Sequence, residues 1–225
     1  MKSILLFVST AVILMAGNIK AYQYSGVKVK HEDEHHHLER EIDPRCLHVP
    51  MNSGLVWEGS YASKEVPEAC KATFVTVLGQ IQPITLHPKV ETYGEMEVMH
   101  FLKQAQNDDS LMLVDSRSEP WFEYRSIPGA VNVPHSHISK MKSLPEEYQY
   151  ALTTLGIEEK SDSTFDFSKA KTIVLFCNGS WCGQSPGMIR DLMTMGYPPE
   201  KLKWYRGGMH DWLALSMTST RKLKR

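Results

Sequence analysis

Two cysteines separated by four residues form the part of the sequence with the clearest chemical potential. They are Cys177 and Cys182, in the stretch Lys171 to Gly187, which reads KTIVLFCNGSWCGQSPG. A thiolate is a strong nucleophile, and a thiol at the start of a helix has a lowered pKa because the helix dipole and backbone N–H groups stabilise its charge. The pattern therefore predicts a reactive sulfur centre.

The elements on either side of this loop would position Cys177. Residues Thr172 to Phe176 form an unbroken apolar run, which is typical of a strand buried on both faces of a parallel sheet. From Gln184 onward, apolar residues recur at helical spacing. We therefore expect Cys177 at the carboxyl end of a strand, in a loop that leads into a helix. In that position Cys177 should be a more acidic thiol than Cys182, which lies at the far end of the loop.

Together with two flanking stretches, these residues resemble the rhodanese family. Val114 to Pro134, VDSRSEPWFEYRSIPGAVNVP, is similar to the family's Asp-x-Arg segment and its Ile-Pro-Gly-Ala-x-Asn-x-Pro signature. Trp204 to Trp212, WYRGGMHDW, resembles the Gly-Gly-x-x-x-Trp element that closes the fold. The resemblance covers residues 90–217 and implies a rhodanese-like α/β fold with a mostly parallel central sheet flanked by helices. It also implies a sulfurtransferase that carries sulfur as a persulfide on Cys177.

Backbone N–H groups of residues 178–183 can form a cradle for the charged terminal sulfur. None of these residues is basic, so the dianion thiosulfate should bind less well than a neutral or carrier-bound persulfide. Thiosulfate would bind better if Arg117 or Arg206 extended into the loop from a neighbouring strand end. For Arg117 we favour instead an ion pair with Asp115 that holds the loop. We predict neither a cofactor nor a metal at this site. The loop residues assigned to substrate binding are Asn178, Gly179, Ser180, Trp181 and Gly183.

Three functions are compatible with this pair of cysteines. Sulfur transfer through Cys177 is the favoured one, with Cys182 as a second catalytic residue that either resolves the Cys177 persulfide or locks Cys177 as a disulfide. In thiol–disulfide exchange, Cys177 would attack an oxidised partner and Cys182 would resolve the adduct. In a partner-binding module without catalysis, the two cysteines would form a permanent disulfide, or Cys182 would be inert.

Phosphatases of the same fold use a Cys-x-x-x-x-x-Arg loop, and here Gly183 takes the place of the arginine that binds the oxyanion. Phosphatase chemistry is therefore disfavoured.

The N-terminus and the charge balance indicate a compartment and a class of partner. Residues 1–21 contain Lys2, the apolar run Ile4 to Met15 and then small and polar residues, which is the layout of a signal peptide. We expect a periplasmic or secreted protein; an uncleaved membrane anchor is the alternative. With 25 basic and 26 acidic residues, the chain offers no electrostatic basis for binding nucleic acid. The expected partner is a small sulfur compound, or a protein that carries a persulfide or a thiol.

Residues 22–89 are predicted to be an N-terminal extension. The His-rich tract at residues 31–37 favours a solvated, mobile terminus over a metal site, because consecutive histidines do not define a fixed coordination shell. Cys46 and Cys70 are expected to form a disulfide, which an exported protein can retain.

The rest of the chain shows an alternation of strands and helices. Thr92 and Glu95 have the spacing of a capping box, which predicts a helix that runs to about Gln106. His135 and His137 are interpreted as part of a surface loop rather than a metal site. The remaining predictions are strands at 74–78, 81–86, 111–114 and 201–205, helices at 118–124, 144–155 and 209–215, a polar connection at 156–170 and a basic tail at 218–225.

Overall fold

The computed structural model describes residues 25–39, 41, 79–160 and 164–220. The predicted signal peptide, the Cys46 and Cys70 pair, the strand at 74–78 and residues 221–225 of the tail lie outside the described residues. In chain order, the elements are β1 (Val27–His31), β2 (Glu34–Leu38), β3 (Glu91–Tyr93), α1 (Glu95–Ala105), β4 (Leu111–Asp115), α2 (Glu119–Tyr124), β5 (Ala130–Asn132), α3 (His135–Ser139), α4 (Pro145–Leu155), β6 (Glu158–Glu159), β7 (Phe165–Asp166), β8 (Thr172–Phe176), α5 (Gln184–Met195), a 3₁₀ turn (Pro199–Lys201), β9 (Leu202–Tyr205) and α6 (Gly208–Ala214).

A five-stranded parallel sheet in the order β3-β9-β8-β4-β5 occupies the centre of the fold. In the middle strand β8, Phe176 pairs with Asp115 of β4 on one side and with Tyr205 of β9 on the other. Because parallel strands bring their carboxyl ends to the same edge of a sheet, Asp115 and Cys177 emerge side by side. The predicted α/β class with a parallel sheet flanked by helices is confirmed.

Helices cover both faces of this sheet, and β8 contributes to both cores. Its residues Ile173 and Leu175 pack into a core with α3, α4 and α5, whereas Val174 and Phe176 pack into a second core with α1 and α6. Successive side chains of a strand point to opposite faces, so an apolar residue is needed at every position of a strand that is covered twice. This explains the unbroken apolar run in the sequence.

Residues 27–38 form a β-hairpin, so the prediction of a mobile terminus is wrong. Strands β1 and β2 pair antiparallel, and Val27, Val29 and Leu38 are buried in the core beside α1. The alternation of a strand places His36 on the buried face and leaves polar side chains on the exposed one. One face of the hairpin is therefore polar and exposed, and its other face contributes to the core.

Residues 81–86 contain no strand, contrary to the prediction, because the N–H groups nearby are bonded to a loop instead of a neighbouring strand. Helix α1 begins after Gly94, whose N–H donates to Glu97 Oε2 at 3.0 Å. This capping interaction lies two residues later than predicted, since Thr92 belongs to β3 and pairs with β9.

Two further predictions are corrected in the second half of the chain. His135 and His137 lie in helix α3, which follows Pro134, and not in a loop. The polar connection at 156–170 contains the short antiparallel pair β6 and β7. The other predicted strands and helices within the described residues are confirmed to within a few residues. No helix in these described segments combines the length and the hydropathy needed to cross a bilayer.

Candidate active site

The loop after β8 is held by the start of helix α6. The N–H of Met209 donates to the carbonyl of Cys177 at 3.0 Å, and the N–H of His210 donates to the carbonyl of Asn178 at 2.9 Å. Gly208 makes this approach possible, because its φ is +57° and a β-carbon on it would lie 2.3 Å from the Cys177 carbonyl oxygen. The backbone on which the chemistry depends is thus fixed from a neighbouring element.

The Cys177 side chain is buried and faces the first turn of α5. Ser185 Oγ donates to Cys177 Sγ at 3.3 Å, and the backbone N–H of Ser185 points at the same sulfur. The indole Nε1 of Trp204 donates to Ser185 Oγ at 3.1 Å. Because an indole N–H can only donate, it occupies an acceptor position of the hydroxyl and directs the hydroxyl proton toward Cys177.

The Cys182 side chain is half-buried and hydrogen-bonded to the Cys177 side chain. Both are free thiols. The pKa of Cys182 is lowered to about 6, first by this hydrogen bond from Cys177 and then by the backbone N–H groups of Gln184 and Asn178 and the positive charge of Arg117. These donors more than offset the cost of burial, so they favour the thiolate form of Cys182.

The pKa of Cys177 is raised well above its usual value, first by burial and then by the neighbouring Cys182. The prediction that Cys177 is the more acidic thiol is therefore wrong. The end of β8 is enclosed on both faces, which penalises a charge there. In addition, the N–H groups of Asn178 and Gln184 point at Cys182.

A buried ion pair connects the end of β4 to this loop. Arg117 donates through Nε and Nη2 to the two carboxylate oxygens of Asp115, at 2.9 and 2.6 Å. Ser126 Oγ also donates to Asp115, and Arg117 Nη1 donates to Asn178 Oδ1 at 3.2 Å. The predicted ion pair is present, and it orients the first residue after Cys177 while keeping the guanidinium bonded to protein atoms.

Residues 79–82, which we call the strap, lie along the other end of the loop. The N–H of Gln80 donates to the carbonyl of Trp181 at 3.0 Å. The N–H of Gln82 donates to the carbonyl of Ser180 at 2.9 Å. The strap therefore lies along the loop as an added strand would, bonded to two of its carbonyl oxygens.

Arg206 supports the strap and does not reach into the loop. Its Nε and Nη2 both donate to the carbonyl of Gln82, at 3.2 and 3.0 Å. Arg117 is likewise engaged, with Asp115 and Asn178. The two arginines that the sequence offered for thiosulfate binding thus have protein partners in this structure.

The indole ring of Trp181 folds back over the loop. It contacts His210 edge to face, with ring centroids 4.9 Å apart. It also lies so close to Gly179 that a β-carbon there would be 2.4 Å from the ring. Gly183, by contrast, is exposed, and a β-carbon on it would have no atom within 4 Å. The loop residues predicted to bind substrate are therefore together, with Trp181 as a cover and Gly183 at the open end.

Sequence reasoning missed the roles of three residues that support the site. Ser185 contacts Cys177, Trp204 contacts Ser185, and His210 contacts the loop. The signal for Ser185 was its place in the first turn of the helix that follows the loop, where side chains can face the preceding strand. Trp204 and His210 come from β9 and α6, so only the strand order brings them to Cys177. None of the described residues forms a group of three or more metal-ligating side chains.

The profile of the rhodanese-like domain family matches residues 99–215, just over half of the chain. The protein therefore belongs to the rhodanese-like domain family. This membership supports sulfur transfer as its activity at the level of the family. A search of proteins with curated functions found no significant match.

Several solved structures are similar to this chain. A human single-domain sulfurtransferase is 21% identical, with 56% of this chain and 96% of that chain covered and a TM-score of 0.39. A single-domain sulfurtransferase of Saccharomyces cerevisiae is 18% identical, with coverages of 56% and 89% and a TM-score of 0.38. A rhodanese from E. coli, solved with anions, is 18% identical, with coverages of 50% and 99% and a TM-score of 0.31.

Proposed function

We propose that this protein is an exported sulfurtransferase that carries sulfur as a persulfide on Cys177. One observation carries the proposal, namely the hydrogen bond from Ser185 Oγ to Cys177 Sγ at the carboxyl end of β8. A donor fixed at this distance stabilises negative charge on the sulfur, both in the attacking thiolate and in the persulfide product.

Loading from a persulfide donor balances without any other reactant. The Cys177 thiolate attacks the outer sulfur of the donor, the donor's S–S bond breaks, and the donor thiolate leaves. The transferred sulfur remains bonded to Cys177 Sγ, and a thiol acceptor removes it by the reverse reaction. The donor class is a persulfide of a small thiol or of a protein, since Arg117 and Arg206 are bonded to protein atoms and residues 178–183 are not basic.

The export part of the proposal is supported by the pattern of residues 1–21, an apolar run preceded by Lys2 and followed by small and polar residues. Expression of the full chain in a bacterium, followed by fractionation and intact mass measurement, tests it. We expect a periplasmic protein that begins near residue 22. A full-length chain in the membrane fraction would contradict export by cleavage.

Sulfur carriage is tested by intact mass spectrometry after incubation of the reduced protein with glutathione persulfide. We expect a mass gain of one sulfur atom, or the products of its discharge, in the wild type. Cys177→Ser should take up none, whereas Cys182→Ser should still gain a sulfur on the Cys177 peptide. Uptake that persists in Cys177→Ser would contradict the assignment.

A further inference from the structure

Cys177 and Cys182 lie close enough to share one proton, which either sulfur can carry. When Cys177 is protonated, its thiol donates to the carbonyl oxygen of Cys182 at 3.5 Å, and the Cys182 side chain lies within reach of the same sulfur. When Cys182 is protonated, its thiol donates to Gln184 Oε1 at 3.6 Å. Each protonation state thus has an acceptor, so the proton can move between the sulfurs without leaving one of them unpartnered.

The cradle that would hold a transferred sulfur contains the sulfur of Cys182. Backbone N–H groups of Asn178 and Gln184 point at Cys182 Sγ, and the Arg117 guanidinium adds its charge. A sulfur added to Cys177 therefore arrives beside a stabilised thiolate. Thiolates attack persulfide sulfurs readily, so the Cys182 thiolate can react with a persulfide on Cys177.

We propose that Cys182 is a second catalytic residue, which accepts the proton of Cys177 during loading and then discharges the persulfide. The inference rests on the proposed function, because it requires a loaded Cys177. In loading, Cys177 passes its proton to Cys182, attacks the donor's outer sulfur and expels the donor thiolate, which takes the proton from Cys182. Cys182 is then again a thiolate beside the persulfide.

In discharge, Cys182 Sγ attacks Cys177 Sγ. A bond forms between these two atoms, the bond from Cys177 Sγ to the outer sulfur breaks, and its electron pair leaves with the outer sulfur as hydrosulfide. The two cysteines are oxidised to a disulfide and the transferred sulfur is reduced to sulfide. A dithiol reductant, supplied by another protein or a small molecule, must then return the pair to the thiol form.

Attack on the inner sulfur is favoured over attack on the outer one because of the leaving groups. Attack on the outer sulfur would expel the Cys177 thiolate into a buried site, where a negative charge is costly. Hydrosulfide is the weaker base and leaves more readily. The Cys182 thiolate therefore releases sulfide and does not take up the outer sulfur. An external thiol acceptor differs, because it brings a proton for the departing Cys177 thiolate, and its attack competes with the release of sulfide.

The test uses the reduced full-length protein and glutathione persulfide labelled with a heavy isotope in its outer sulfur, without added reductant. In the wild type we expect labelled sulfide, about one per protein, and a Cys177–Cys182 disulfide in the peptide map. Cys182→Ser and Cys182→Ala should load more slowly than the wild type, because they lack the proton acceptor, but should then keep the label on Cys177 and release no sulfide. Thermal unfolding confirms that both variants are folded, which is expected because Cys182 is half-buried.

The alternative outcomes separate the two proposals. A wild type that keeps the label on Cys177 with Cys182 free overturns the discharge step and leaves sulfur carriage standing. Label on Cys182 overturns attack on the inner sulfur. An absence of uptake in the wild type and in both Cys182 variants, with no thiols lost, overturns the proposed function itself. A mixed disulfide of Cys177 with glutathione in the Cys182 variants, in place of a persulfide, overturns both proposals in favour of thiol–disulfide exchange.

Discussion

Trp204 Nε1 donates a hydrogen bond to Ser185 Oγ at 3.1 Å, and this contact determines where the Ser185 hydroxyl proton points. With the indole on one side, the hydroxyl is left to donate to Cys177 Sγ, 3.3 Å away. Trp204 and Ser185 are both buried, so no water replaces either bond. The sulfur of Cys177 thus has an oriented hydroxyl donor in addition to the backbone N–H of Ser185.

Ser185→Ala should slow sulfur uptake by Cys177 without unfolding the protein. A hydrogen bond to a charged group contributes about 1.5–3 kcal/mol, which corresponds to a decrease of about 10- to 150-fold in rate. Single-turnover uptake from glutathione persulfide measures the effect. Ser110→Ala, which removes a hydroxyl bonded to Asp108 on the surface, serves as the control. Unchanged uptake in Ser185→Ala would refute the role of this donor.

The reactivity of Cys182 toward an alkylating reagent should rise with pH through a midpoint near 6. Below that pH the thiol is protonated and unreactive, and above it the thiolate is present, since the hydrogen bond from Cys177 lowers the pKa of Cys182 to about 6. Cys177→Ala removes this donor, so the profile should move to higher pH. Alkylation resolved by peptide gives both profiles, and a wild-type midpoint at an ordinary thiol value would contradict the pairing.

Asp115→Asn should destabilise the fold strongly, because it leaves the buried Arg117 without its carboxylate. The side chains of the pair are 0% and 3% exposed, and removal of one partner of such a pair costs about 3–5 kcal/mol. Urea unfolding measures the loss. As a control, Lys160→Gln removes an exposed ion pair with Asp166 and should cost less than about 1 kcal/mol. Equal effects of the two changes would show that Arg117 finds another partner.

Gly208→Ala should both destabilise the protein and displace the loop. The residue has φ of +57°, and its new β-carbon would collide with the Cys177 carbonyl at 2.3 Å. Strain of this kind costs about 1–3 kcal/mol, and the loss of the loop position should reduce sulfur uptake as well. Unfolding by urea and single-turnover uptake are the measurements. For stability, Gly183→Ala is the matched control, since its φ is −89° and its β-carbon would be unobstructed.

Local sequence patterns predicted the strand, loop and helix around Cys177 because each pattern depends only on neighbouring residues. The apolar run of β8 and the helical spacing of α5 are of this kind. The pairing of Asp115 with Arg117 was predictable as well, since the two residues lie at and just after the end of one strand. These are features that chain order alone determines once the sheet is parallel.

The relative acidity of the two thiols could not be predicted from local sequence patterns. It depends on which sulfur the N–H groups of Asn178 and Gln184 face and on how deeply each sulfur is buried, and both follow from the curvature of the loop. The hairpin was missed because β2 has His36 at a buried position and therefore lacks the apolar alternation typical of a half-buried strand. The strap was missed because its partners, Ser180 and Trp181, lie about 100 residues later in the chain.

The lengths of the outermost strands affect how one molecule meets another. The edges of the parallel sheet are β3 and β5, with three residues each, whereas the apolar β8 has two strands on either side of it. An unpaired edge is where a second chain can add a strand, and a short edge offers it few hydrogen bonds. The apolar strand β8 is therefore kept from pairing with another molecule. The edge strands β3 and β5 are too short to offer a second chain more than a few hydrogen bonds.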